Sequence, residues 1–297
     1  MIDKLEFLLA LARESHFGRA AEACGVTQPT LSAGIKQLEQ SFGILLVNRG
    51  SRFQNFTMEG ERVLEWARRI VGDTRAMREE VHALKNGLRG QLRIAASPTA
   101  LGTIETLTTL YHERHPDVQF TILDANTEDI FRLIENLEID AGVSFVGGEP
   151  SGRVTGIPLY RERYCLLTAA DAPYGNRSKV KWAEVANIPL CLLTPDTQLR
   201  RVIDGLLREA GGDPRPSLES NSMVVLYSHV RTGRWASVMP FRLAATLGLT
   251  EVLRAIPIVE PDASYMVGLL VPSRQPMKPL TAALVAESRR AAHLLAG

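Results

Sequence analysis

The sequence predicts an α+β protein: an N-terminal winged helix-turn-helix, a long coiled-coil helix and a C-terminal α/β domain. Three observations predict it. Short amphipathic helices before residue 57 are separated by glycine-containing breaks. Heptad spacing then runs from Met58 to about Arg89. From Gln91 onward, short apolar runs alternate with helical segments in a βαβαβ rhythm, which implies a parallel sheet with helices on its faces.

The elements follow in order. Leu5, Leu8, Leu9 and Ala12 share one stripe of a first helix over 3–14. "SHFG", 15–18, is a break, and the alanine-rich "RAAEAC", 19–24, is a short second helix ending at Gly25. Thr27 is placed as an N-cap, and Pro29 falls in the first turn, where its missing N–H costs nothing. Leu31, Ile35 and Leu38 form the apolar face of this third helix, while Thr30, Lys36 and Gln37 point elsewhere and Ser32 and Ala33 flank that outer face. Two short helices joined by a glycine-containing turn make a helix-turn-helix. "ILLVNRGSRFQNFT", 44–57, suits a hairpin wing whose only charges are Arg49 and Arg52.

The long helix carries two interleaved seams, Val63–Ile70–Met77–Leu84 and Ala67–Thr74–Val81–Leu88. About 30 residues at 1.5 Å each would span roughly 45 Å, a spacer and dimerisation rod. Beyond Gly90, "LRIAAS", "DVQFTIL" and "IDAGVSF" read as strands. A helix from Pro98 to about His115 and a second one, "TEDIFRLIENLE", lie between them. "RYCLLTAA", the helix "TQLRRVIDGLLREAG", "MVVLYSHVRTG", "ASVMP" and "YMVGLLVP" continue the domain, and "PLTAALVAESRRAAHLL" closes it as a helix.

Composition narrows the function classes. The 297 residues suit about two domains, the formal net charge is +1, and 45% hydrophobic content is ordinary globular material. No run approaches the roughly 18 apolar residues of a membrane span, and Asp3 and Glu6 argue against a signal peptide. The scattered Cys24, Cys165 and Cys191 fit a reducing cytoplasm. No zinc spacing, Gly-x-Ser-x-Gly elbow, P-loop or dinucleotide fingerprint is present. His112 and His115 stand three apart but lack a third ligand. No enzyme, metal or cofactor is expected.

The stretch "FGRAAEACGVTQPTLSAGIKQLEQSFGILLVNR" resembles the LysR-type transcriptional regulators: an Ala-Ala helix, a Thr-Gln-Pro-Thr-Leu-Ser start, Ile-x-x-Leu-Glu, and a Gly-x-x-Leu run ending in Arg. "LEIDAGV" and "LYRERYCLL" resemble further family segments, so the likeness covers the whole length. Val47 departs from the usual Phe, Gln54 and Phe56 replace an aliphatic pair, and "TGRWASVMP" keeps only the first glycine and the proline of its family motif. The first 39 residues look most like a branch regulating formate dehydrogenase operons.

The resemblance implies a DNA-binding domain over 1–57, a linker and dimerisation helix over 58–89, and an effector domain over 90–297 like a periplasmic binding protein. Its first subdomain would hold 91–161 and 267–297, and its second 162–266. The expected partners are double-stranded operator DNA with an interrupted inverted repeat, a small-molecule effector, and further copies of the chain in a dimer or homotetramer. No membrane partner is expected.

Candidate site residues follow. Gln28 can pair with adenine, Thr30 or Pro29 can touch a thymine methyl, and Thr27 and Ser32 offer hydroxyls to phosphate. Lys36 would reach phosphate or guanine, Arg49 and Arg52 suit backbone or minor-groove contact, and Arg19 could hold phosphate. Each would otherwise read as a solvated surface residue. In the α/β domain, ligands bind at the carboxyl ends of strands. Ser97, Pro98, Thr99, Asn126, Thr127, Phe145, Thr194 and Pro195 lie at such ends, with Asn221 nearby. Their alternative role is as caps and turns. A pocket of hydroxyls and helix N-termini suits a small carboxylate. Two alternatives remain: redox sensing through Cys165 and Cys191, and small-molecule binding without regulation.

Overall fold

A computed structural model describes residues 1–49, 53–147, 153–249 and 251–295. It divides into two compact units. The first comprises Met1–Gly87, Glu135–Glu138 and Arg274–Pro279; the second comprises Leu88–Ile134, Ile139–Ser273 and Leu280–Gly297.

In the first unit, α1 (Ile2–Glu14), α2 (Phe17–Ala23) and α3 (Gln28–Phe42) precede a hairpin of β1 (Val47–Arg49) and β2 (Phe53–Phe56), and α4 (Met58–Asn86) follows. Leu5, Leu8, Leu11, Leu31, Ile35, Leu38, Leu46 and Val47 form its core with Leu64, Ala67 and Val71 of α4. α2 begins two residues earlier than its alanine content suggests, because the His16 Nδ1 caps it, accepting from the Gly18 and Arg19 N–H groups at 3.1 and 3.3 Å.

Both heptad seams of α4 change character along the helix. Ala67 is fully buried in the core, whereas Ile70, Met77, Val81 and Leu84 are exposed. The first turns of α4 belong to the helix-turn-helix core, so only the later turns leave an apolar stripe uncovered within this chain.

The second unit begins with β3 (Gly90–Ala96), α5 (Ile104–Arg114), β4 (Val118–Asp124), α6 (Thr127–Glu135) and β5 (Ala141–Phe145). The 16-residue β6 (Val154–Ala169) follows, then β7 (Val180–Lys181), α7 (Trp182–Val185), β8 (Cys191–Leu193), α8 (Gln198–Glu209), β9 (Leu218–Ser220) and α9 (Met223–Val230). β10 (Ser237–Pro240), α10 (Phe241–Thr246), β11 (Leu253–Val259), β12 (Ser264–Pro272) and α11 (Pro279–Leu295) complete it. β3 runs parallel to both β4 and β5. The sheet order is β4-β3-β5-β12-β6-β11-β7, with β10 also on β6 and a separate β8-β9 pair.

β6 ties two lobes together. Through Arg163 it pairs with β12; from Tyr164 it pairs with β10, and from Cys165 with β11. The helix expected from Pro98 begins only at Ile104, after a turn and a short 3-10 segment, Leu101–Thr103. The Ser97 carbonyl accepts from the Ala100 and Leu101 N–H groups, and this tight turn holds Ser97–Thr99 outside the helix.

Candidate functional site

The start of α3 is built as the sequence suggests. Thr27 lies in extended backbone and its Oγ1 accepts from the Thr30 N–H at 3.4 Å, so the helix opens on a side-chain cap. Its hydroxyl also lies 2.8 Å from that of Thr30. Thr27, Gln28, Pro29, Thr30 and Lys36 are exposed and Ser32 is half-buried, while Leu31, Ile35 and Leu38 face the core. One face thus holds the helix in place and the other presents amide and hydroxyl groups. Arg19 is exposed, but its guanidinium is engaged by the Glu14 carbonyl and lies 3.7 Å from the Glu14 carboxylate. Arg49 ends β1, and Arg52 lies outside the described residues.

Glu39 closes the family-like Leu-Glu pair of α3. It is buried, and its Oε1 accepts from the Leu46 and Val47 N–H groups at 3.0 and 3.3 Å. It fastens the hairpin to α3.

The second site is a cavity within the α/β unit. Ser97, Pro98, Thr99, Asn126, Thr127, Ser144 and Phe145 of the first lobe line it, with Leu193, Thr197, Gln198, Leu199 and Val202 of the second. Tyr164 and Tyr265 close it where the strands change partners. Its volume is about 40 Å³, room for about three waters at ~10–15 Å³ each. No Lys, Arg, His, Asp or Glu lines it.

Six of the expected positions, Ser97, Pro98, Thr99, Asn126, Thr127 and Phe145, therefore lie together on the wall. Thr194, Pro195 and Asn221 do not. The Thr194 Oγ1 is buried without a hydrogen bond, and Pro195 and Asn221 are exposed. The reason is the turn after β8: the Thr194 carbonyl accepts from Thr197, and the chain swings so that the first turn of α8 meets the cavity instead. Asn126 is committed locally, accepting from the Asp129 N–H at 2.8 Å as a cap of α6.

Hydroxyls dominate the polar wall. Thr127 Oγ1 lies 2.8 Å from Ser144 Oγ, and Ser97 Oγ lies 3.3 Å from Thr99 Oγ1. Thr127 opens α6, and Thr197 caps α8 by accepting from the Arg200 N–H at 3.3 Å, so two helix N-termini converge here. The floor is aromatic: Phe145, Tyr265 and Tyr164 follow one another at 6.0 and 5.4 Å between ring centroids, and Trp182 packs behind Tyr164 at 5.5 Å. Burial pushes the Tyr164 and Tyr265 hydroxyls well above the ordinary phenol range, keeping both protonated donors. Tyr164 and Tyr265 escaped sequence reasoning because only the register of β12 against β6 brings them to one place.

The three thiols are free. Cys165 and Cys191 are fully buried; Cys165 Sγ contacts the Met239 carbonyl at 3.4 Å and Cys191 Sγ the Ala236 carbonyl at 3.6 Å. Burial raises both, Cys191 to about 11 and Cys165 further. No helix is long and apolar enough to cross a membrane among the described residues.

Comparison with known proteins bears on both sites. Residues 2–61 match the family model described as bacterial regulatory helix-turn-helix protein, lysR family, and residues 85–292 match the LysR substrate binding domain. The DNA-binding transcriptional dual regulator OxyR of Escherichia coli K12 is 27% identical over 279 residues, covering 93% of this chain and 91% of that protein. The uncharacterized HTH-type regulator YnfL of the same strain is 30% identical over 283 residues, covering 93% of each. Among solved structures, a full-length OxyR variant from Pseudomonas aeruginosa superposes with a TM-score of 0.78 at 26% identity, covering 97% of each chain. CbnR in complex with its target DNA shares the fold, with a TM-score of 0.63, 20% identity, and coverage of 98% of this chain and 99% of that one.

Proposed function

This chain belongs to the LysR family of bacterial transcriptional regulators, a DNA-binding regulator with an effector-binding domain, and on that premise we propose how its parts divide the task. The exposed start of α3 reads operator bases, with Gln28 on adenine, Thr30 or Pro29 on a thymine methyl, and Thr27, Ser32 and Lys36 on the backbone or an adjacent guanine. Arg49 and Arg52 of the wing supply phosphate or minor-groove attraction, and Arg19 supplements them on leaving Glu14. The chain acts in the cytoplasm on an interrupted inverted repeat, as a dimer through the exposed stripe of α4 and as a tetramer of such dimers.

The cavity takes a small carboxylate. The observation that carries this reading is its wall: hydroxyls and two helix N-termini drawn from both lobes, at the residues where β6 changes partners. A ligand touching both lobes favours the arrangement in which both can touch it, and so biases the regulator. A DNase footprint that changes with added carboxylate tests the whole reading; failure to bind any DNA at low salt sinks it. The formate dehydrogenase branch finds no support in the relatives named above, so the proposal stops at the family and the ligand class.

A redox reading draws support from the OxyR relatives and from two cysteines in the second lobe. The buried thiols with raised pKa weigh against it, since the thiolate is the reactive form. Binding without regulation would leave the exposed face of α3 without a purpose.

A further inference from the structure

The wall of the cavity holds one buried polar side-chain atom without a hydrogen bond. The Tyr265 hydroxyl is buried and makes no hydrogen bond of normal geometry, although part of its ring remains accessible and Thr99 lies close enough to influence it. A buried hydroxyl left unsatisfied costs about 1–3 kcal/mol. Native proteins keep few such groups, and each calls for a reason. Here the residue lines a cavity, beside hydroxyls that hydrogen-bond to one another.

Two further features limit what fills that space. No cation lines the wall, so the site offers hydrogen-bond donors and helix dipoles, enough for one negative charge but not two. The cavity volume of about 40 Å³, room for about three waters at ~10–15 Å³ each, admits only a compact ligand.

Resting on the effector reading above, we propose that the effector is a compact monocarboxylate and that Tyr265 is the specificity-determining residue, its O–H donating to a carboxylate oxygen. The α6 and α8 N-termini, at Thr127 and Thr197, supply the remaining donors. Dicarboxylates are refused for want of a second positive partner, and aromatic acids for want of room.

Calorimetric titration and thermal unfolding of the full chain test this with acetate, glycolate, pyruvate, succinate and benzoate. At least one of the first three binds saturably, and succinate and benzoate bind at least tenfold more weakly. Tyr265→Phe weakens the compact acid at least tenfold, yet raises the melting temperature of the ligand-free protein by about 2–4 °C because the orphan hydroxyl is gone. Tyr160→Phe is the control: the Tyr160 hydroxyl is equally buried and unpartnered but does not line the cavity, so its loss leaves affinity within twofold. Undiminished binding by Tyr265→Phe overturns the inference. Equal binding of benzoate or succinate also overturns it while leaving the carboxylate reading standing. Silence from all five acids brings down both.

Discussion

Arg201 of α8 reaches Glu128 of α6, Nη2 to Oε1 at 3.2 Å, directly beside the cavity residues Val202 and Thr127. The pair joins the two lobes at the rim of the site. Both side chains are more than half exposed, so the contribution is small, about 0–1 kcal/mol, and is screened by salt. Glu128→Gln is therefore expected to lower the melting temperature by no more than about 4 °C in low salt. The difference should vanish at high ionic strength. A loss that persists there would mean the pair is held away from water.

Gln28 offers a sharper test of the DNA reading. A bidentate amide–adenine contact discriminates by about 1–3 kcal/mol, while phosphate attraction is independent of sequence. Gln28→Ala should lose that much on a selected operator and almost nothing on scrambled duplex, measured by fluorescence anisotropy at one fixed salt concentration. Equal losses on both would refute base reading by this side chain.

The hairpin depends on two close contacts. Glu39→Ala leaves the Leu46 and Val47 N–H groups without their buried acceptor, a cost of about 1–3 kcal/mol. Gly60 lies so near Leu46 that an added Cβ would stand 2.0 Å from the Leu46 carbonyl oxygen. That backbone atom cannot move aside as a side-chain tip would, and Gly60→Ala should cost about 3 kcal/mol or prevent folding of the unit. Urea unfolding monitored by circular dichroism distinguishes these from an inert glycine.

Thiol chemistry separates the regulator readings. A thiol pushed up to about 11, as Cys191 is, carries little thiolate at pH 8, and Cys165 carries less. The partly exposed Cys24 should therefore be alkylated first by iodoacetamide in native protein, with Cys165 and Cys191 reacting only on unfolding. Peroxide should leave operator binding unchanged. A rapidly formed Cys165–Cys191 disulfide that alters DNA binding would restore the redox reading.

The Thr27 cap, the first-turn Pro29 and the apolar Leu31–Ile35–Leu38 face are local: spacing and side-chain chemistry within a few residues dictate them, so the sequence alone determined α3 and its exposed surface. The same holds for Ser97–Thr99 and Asn126–Thr127, which mark strand ends by chain order. Long-range geometry was different. Heptad spacing did not tell how far along α4 the core would consume the seams, because the burial of Ala67 and the exposure of Val81 in the same seam depend on what lies opposite them. The direction of the chain after β8 set Thr197, Gln198, Leu199 and Val202, and not Thr194, Pro195 or Asn221, on the cavity wall. Tyr164 and Tyr265 are 101 positions apart in the chain, and only the antiparallel pairing of β12 with β6 brings them into one floor. Register between distant strands is decided by the packing of the whole sheet, and a one-residue slip of β12 would turn Tyr265 to the face opposite Tyr164.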